Sequence, residues 1–86
     1  MELILNNTTT EAPSPTSWTE FTDPNTNNKI KIRGGQQAWT WEVETTCPML
    51  KKHQNKIVNT YVSQGMKQHE YKGGYKEAIV ILKIKI

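Results

Sequence analysis

Residues 29–33 read Lys-Ile-Lys-Ile-Arg, a strict alternation of apolar and cationic side chains. A period of two belongs to a strand and not to a helix. It puts Ile30 and Ile32 on one face and Lys29, Lys31 and Arg33 on the other, so the chain must organise around a sheet with one buried face. The residues before it, Asp23-Pro24-Asn25-Thr26-Asn27-Asn28, carry the chemistry of a turn, because Pro presets φ and Asn tolerates φ > 0. Trp18 to Thr22 has strand-forming composition and supplies the preceding strand. After Arg33, Gly34-Gly35 is expected to form a tight turn. Ala38 to Thr46 then resumes the alternation, with Trp39, Trp41 and Val43 facing one way and Thr40, Glu42 and Glu44 the other. These three strands make a meander.

The flanking segments are less uniform. Met1, Leu3 and Leu5 alternate with Glu2, Ile4 and Asn6 as a short strand, and Thr8 to Ser17 (TTTEAPSPTS) has nothing with which to build a core. Residues 1–17 therefore read as a strand and an extended Pro/Thr arm with few internal contacts, and residues 18–86 as the globular β-rich domain. Such a strand can pair within its own molecule or be handed to a neighbour's sheet edge. The second destination makes Met1, Leu3 and Leu5 candidate protein-binding residues. From Pro48 to Ser63, Leu50, Ile57 and Tyr61 share a helical arc, Pro48 suits a first helical turn, and Gly65 suits a left-handed exit. Alternation from Ile57 to Ser63 also fits a strand, but the helix is favoured. Lys67 to Lys72, Gly73-Gly74 and Tyr75 to Ile86 read as a closing β-hairpin, with Glu77 to Leu82 central in the sheet. The fold class is α+β in the order β–arm–βββ–α–ββ, with an all-β meander or small barrel as the alternative. The expected core is Trp18, Phe21, Trp39, Trp41, Leu50, Ile57, Tyr61, Val80, Leu82 and Ile84.

At 86 residues, 35% of them hydrophobic, the chain can bury only an economical core. Small exported domains offset a thin core with disulfides, but Cys47 is alone and can form none internally. Cys47, His53 and His69 do not match a closed zinc-ligand set. The first residues lack the basic segment and apolar run of a signal peptide, and no stretch approaches the ~18 apolar residues of a membrane span. The expectation is a soluble cytoplasmic protein with no membrane partner, on which the sequons at Asn6 and Asn7 carry no sugar.

Function narrows by chemistry. Glu42 and Glu44 share a strand face but read as solvated surface carboxylates, no phosphate-cradling glycine loop appears, and Cys47 with His53 makes only a weak nucleophile–base pair. The chain is expected to be non-enzymatic, with no cofactor, metal or small-molecule substrate. Two binding readings remain. A protein-binding or assembly module, either homo-oligomeric or docked on another protein, suits a short chain whose thin core gains from association. Small viral or phage structural and accessory proteins have this composition. The alternative is nucleic-acid binding through Lys29, Lys31 and Arg33 on a strand face and Lys51, Lys52 and Lys56 on the helix, with aromatics that stack on bases. A net charge of +3 and a pI near 9.1 lend that reading only modest support.

Overall fold

The computed structural model describes residues 1–8, 14–35, 40–71 and 80–86, with backbone alone for 69–71. They form one small α+β domain, in which a curled, half-barrel sheet of five antiparallel strands is covered on its inner face by a helical segment. The strands are β1 (Glu2–Asn7), β2 (Thr19–Thr22), β3 (Lys29–Gly35), β4 (Thr40–Thr45) and β5 (Ile81–Lys85). Their order across the sheet is β4-β3-β2-β1-β5.

The meander β2-β3-β4 forms as the alternation demands. Ile30 and Ile32 are fully buried, opposite Phe21 and Thr19 on β2. The 23–28 turn is built around Asp23. Its carboxylate accepts from the Asn25 N–H at 2.9 Å and the Thr26 hydroxyl at 3.0 Å, while Asn27 takes a left-handed φ of 61°. Gly34 and Gly35 do not make the expected turn. They extend β3, opposite Trp41 and Thr40, and the connection to β4 falls in 36–39, outside the described residues. Gly34 is needed for another reason. It has a φ of +146°, and a Cβ there would lie 2.4 Å from the Thr40 carbonyl oxygen and 3.1 Å from the Trp41 ring.

Of the two destinations open to it, the first strand takes the internal one. β1 lies between β2 and β5, pairing Leu3 with Ile84 and Leu5 with Leu82. Leu3 and Leu5 are buried, so residues 1–7 complete the same sheet as residues 19–35. The described ends of the Thr8–Ser17 segment are also tied down, against the expectation of few contacts. Thr8 N–H donates to the Glu20 carbonyl at 2.7 Å, and Gly34 N–H donates to the Ser14 carbonyl at 2.9 Å.

The middle of the chain is helical: α1 (Pro48–Lys52), α2 (Gln54–Thr60), a π-helical turn over Tyr61–Gly65, and α3 (Met66–Tyr71). Gly65 therefore does not end the helix, and residues 66–71 are not the first arm of a hairpin. Met66, Lys67 and Gln68 are good helix formers, and residues 75–79, which the hairpin would have set against residues 68–72, lie outside the described residues. Residues 72–79, with the Gly73-Gly74 turn and Ala78, lie outside the described residues. Of the stretch expected to be central, Glu77 to Ile79 lie among those residues; Ile81 is 43% exposed, and among the described residues β5 has β1 as its one hydrogen-bonded neighbour.

The core joins the inner faces of all five strands to Leu50, Ile57 and Tyr61 of the helical segment. Tyr61 is fully buried and meets Phe21 and Trp41 edge-on, with ring centroids 5.7 and 6.0 Å away. Among the expected core residues, Phe21, Leu50, Ile57, Tyr61, Val80, Leu82 and Ile84 are buried, while Trp41 packs from the margin. Trp18 is half-buried beneath the Arg33 guanidinium, 4.3 Å from its ring, and Trp39 lies outside the described residues.

Two outcomes test this packing. Leu5→Ala should destabilise the isolated chain by about 2–5 kcal/mol in urea unfolding, the range for truncating a buried leucine. A strand destined for a neighbour would make the same change nearly neutral. Gly65→Ala sets two effects against each other. Alanine is the better helix former by about 1 kcal/mol, but its Cβ would lie 2.6 Å from Tyr61 Cδ1 and 3.1 Å from Leu82 Cδ2. Overpacking of that kind costs about 1–3 kcal/mol, so a net loss of stability is expected; a gain would show that the helix does not press on the sheet here.

Candidate protein-binding edge

The direction of each peptide group in the sheet follows from its hydrogen bonds. In an antiparallel pair, successive residues point their N–H and C=O groups alternately to one neighbour and to the other. Asp23 N–H donates to the Asn28 carbonyl, and Gly34 N–H donates to Ser14. Ile30, Ile32 and Gly34 therefore face β2, whereas Lys31, Arg33 and Gly35 face β4 and bond Glu44, Glu42 and Thr40. The N–H and C=O groups of Trp41 and Val43 are thus directed out of the sheet, and among the described residues they have no hydrogen-bond partner. β4 is an open edge.

That edge borders a groove of about 450 Å³ between β4 and α2, lined by Trp41, Val43, Gln54, Asn55, Val58 and Asn59. Val43 and Val58 supply an apolar lining, Trp41 an aromatic wall, and the three amide side chains offer donors and acceptors. No lining residue is charged. Outward-facing peptide groups beside a part-apolar groove are what an extended peptide needs, since the backbone bonds to the edge and alternate side chains enter the groove.

The candidate nucleic-acid residues are divided between two surfaces. Lys29, Lys31 and Arg33 lie on the outer face of the sheet among Glu20, Glu42 and Glu44. Arg33 Nε donates to Glu42 at 2.8 Å, and its terminal nitrogen pairs with the same carboxylate. Lys29 lies 3.6 Å from Glu20, and Lys31 stands opposite Glu20 on β2 and Glu44 on β4. A shallow recess of about 330 Å³ on this face is walled by Glu20, Lys29, Lys31 and Glu44 together with Thr45 and Thr46. Three cations and three carboxylates leave the patch near neutrality. Lys51, Lys52 and Lys56 are exposed on the helical layer, which covers the opposite, inner face. The two groups do not converge.

Of the candidate protein-binding residues, Met1 is 81% exposed, while Leu3 and Leu5 are enclosed in the core. Cys47 is half-buried at the start of α1 and caps nothing with its side chain; no hydrogen bond joins it to His53. Among the described residues there is no group of three or more His, Cys, Asp or Glu that would hold a metal ion. No helix among them is long and apolar enough to cross a membrane.

Comparison with protein-family models, with curated proteins and with solved structures finds no match to this chain.

The outer face is expected to bind nucleic acid weakly. Replacing Lys29, Lys31 and Arg33 together by Gln should leave affinity and its dependence on salt unchanged in a fluorescence-anisotropy titration. A salt slope that falls by about one for each cation removed would show that these side chains contact phosphates after all.

Proposed function

We propose that this protein is a non-enzymatic binding or assembly module that accepts an extended strand of another protein chain on the open edge of β4. The observation that supports this reading is the coincidence of outward-directed Trp41 and Val43 peptide groups with the uncharged groove against α2. An incoming strand would bond to those groups and turn alternate side chains toward Val43 and Val58. Its remaining side chains would lie beside Glu42 and Glu44 on the outer face, which favours Lys or Arg there. The preferred ligand is therefore a segment that alternates apolar and basic residues. Nucleic-acid binding is the second reading. It rests on Lys51, Lys52 and Lys56, which are exposed and have no ion pair among the described residues.

Proline at position 43 tests the edge directly. The Val43 N–H points away from β3, so Val43→Pro removes a donor from the open edge without breaking the ladder, as proline does on natural edge strands. Glu42→Pro is the contrasting variant, because the Glu42 N–H faces β3 and its loss should unfold the hairpin. A synthetic peptide alternating Val and Lys, titrated into the labelled protein, should shift the amide resonances of Trp41 to Thr45 and of Gln54 to Asn59. The folded Val43→Pro variant should bind it about tenfold more weakly, near the 0.5–1.5 kcal/mol of a hydrogen bond lost. Equal binding by Val43→Pro, or resonance shifts confined to the lysine-bearing helix surface, would refute the edge as the site.

A further inference from the structure

Among the described residues the other end of the sheet is open as well, and its chemistry is the complement of the first. Asn7 N–H donates to the Val80 carbonyl at 2.8 Å, and Ile86 N–H to the Met1 carbonyl at 3.0 Å. Val80, Leu82, Ile84 and Ile86 therefore face β1, while Ile81, Lys83 and Lys85 direct their peptide groups outward. At Ile81 the side chain of Gln68 takes the place of a further strand: its Nε2 donates to the Ile81 carbonyl at 3.1 Å, and its Oε1 accepts from the Ile81 N–H at 3.2 Å. Beyond that cap, the outward peptide groups of Lys83 and Lys85 have no partner among the described residues. Lysine on an edge ordinarily keeps sheets apart. Here the same chain also carries an edge with carboxylates in the matching places.

We infer that the strand received by β4 is β5 of a second copy of this chain, paired in parallel, so that copies associate head to tail. This identification rests on the reading of β4 as a receiving edge. Three features of the sheet support it. First, five antiparallel strands are an odd number, so β4 and β5 run in the same direction and a second copy in the same orientation brings them together in parallel. Second, in a parallel pair, a residue whose peptide groups cross the seam stands opposite one whose groups point away, and the two side chains share a face. One register then sets Trp41 opposite Leu82, Glu42 opposite Lys83, Val43 opposite Ile84 and Glu44 opposite Lys85. Inner-face residues meet inner-face residues, and each outer-face carboxylate meets a lysine. Antiparallel pairing through the same peptide groups would instead set Lys83 and Lys85 on the face of Trp41 and Val43. Third, the parallel bonds fall where groups are free. Val43 N–H reaches the Lys83 carbonyl, the N–H groups of Lys83 and Lys85 reach the carbonyls of Trp41 and Val43, and the Trp41 N–H falls at the Ile81 carbonyl, whose second lone pair is left beside the Gln68 cap. Each copy offers one edge of each kind, so the contact is heterologous and closes a ring or extends a filament.

Charge exchange tests the pairing. Sedimentation velocity of the full chain at low salt should show an average mass that rises with protein concentration. The variants E42K/E44K and K83E/K85E, each folded by circular dichroism, should sediment as monomers alone, because each then carries two edges of one sign. An equimolar mixture should regain the parental mass, since the basic β4 of E42K/E44K meets the acidic β5 of K83E/K85E and the acidic β4 of K83E/K85E meets the basic β5 of E42K/E44K. The milder K83Q/K85Q variant should weaken association about tenfold and fail to respond to either partner. A parent chain that stays monomeric up to about millimolar concentration would overturn self-pairing, as would variants that associate alone or a mixture that stays monomeric. If the Val/Lys peptide still binds β4 in that case, the receiving edge stands and its occupant is another protein; if it does not, both readings fall.

Discussion

Tyr61 projects from the middle of the helical segment into the concave side of the sheet, and the rest of the fold depends on that contact. A curled sheet with an apolar inner face must be covered, and the described residues hold one short helical stretch with which to cover it. Leu50 and Ile57 cover part, but Tyr61 is the largest fully buried side chain and reaches both Phe21 on β2 and Trp41 on β4. Gly65, one turn later, has no side chain, so the helix can lie against Leu82 of β5. The helix thus bridges opposite ends of a five-stranded sheet and holds its curl.

The same arrangement explains why both ends of the sheet are left open. The helical segment covers the concave face and has too little length to shield the margins as well. On the β5 side, among the described side chains, Gln68 alone satisfies a residue of the edge. On the β4 side it stands back from the edge and leaves a groove. The outer face compensates in a different way. Cations on β3 alternate with carboxylates on β2 and β4, so the middle of the sheet is locally neutral and hydrated. At the margins, the charges of one sign have fewer partners across the strand: Glu42 and Glu44 have β3 on one side, and Lys83 and Lys85 have β1.

Much of the sheet was legible in the residue order, because a period of two is a local property. Lys29 to Arg33 and Trp41 to Thr45 declare their faces without reference to anything else, and the Asp23 turn is a matter of side-chain chemistry within six residues. The helix from Pro48 was legible from its apolar arc, though Ile57 to Val62 compete for a strand. The failures share one cause. Gly34-Gly35 carries a turn signal, yet Gly34 is required by a close approach to Thr40 and Trp41, which are distant until the hairpin forms. Gly65 carries a helix-stop signal, yet the helix continues because Tyr61 and Leu82 close over it. Residues 66–71 carry a hairpin signal from Gly73-Gly74, yet they continue the helix, and β5 pairs with β1 at the other end of the chain.

Alternation and turn chemistry determined a small β-rich domain, with inner and outer faces assigned residue by residue. They did so because each depends on neighbours within a few positions. Strand order is a different matter. Whether β1 lies in the middle or leaves the molecule, which strands become edges, and which peptide groups point outward all depend on long-range pairing. The candidate binding edge belongs to that second category. Trp41 and Val43 were identifiable as inward-facing, but Gln54, Asn55, Val58 and Asn59 reach the same groove only because α2 crosses beside β4. The opposition of Glu42 and Glu44 to Lys83 and Lys85 at the two ends of one sheet likewise exists only after five strands take their places, since an edge is defined by the neighbour it lacks.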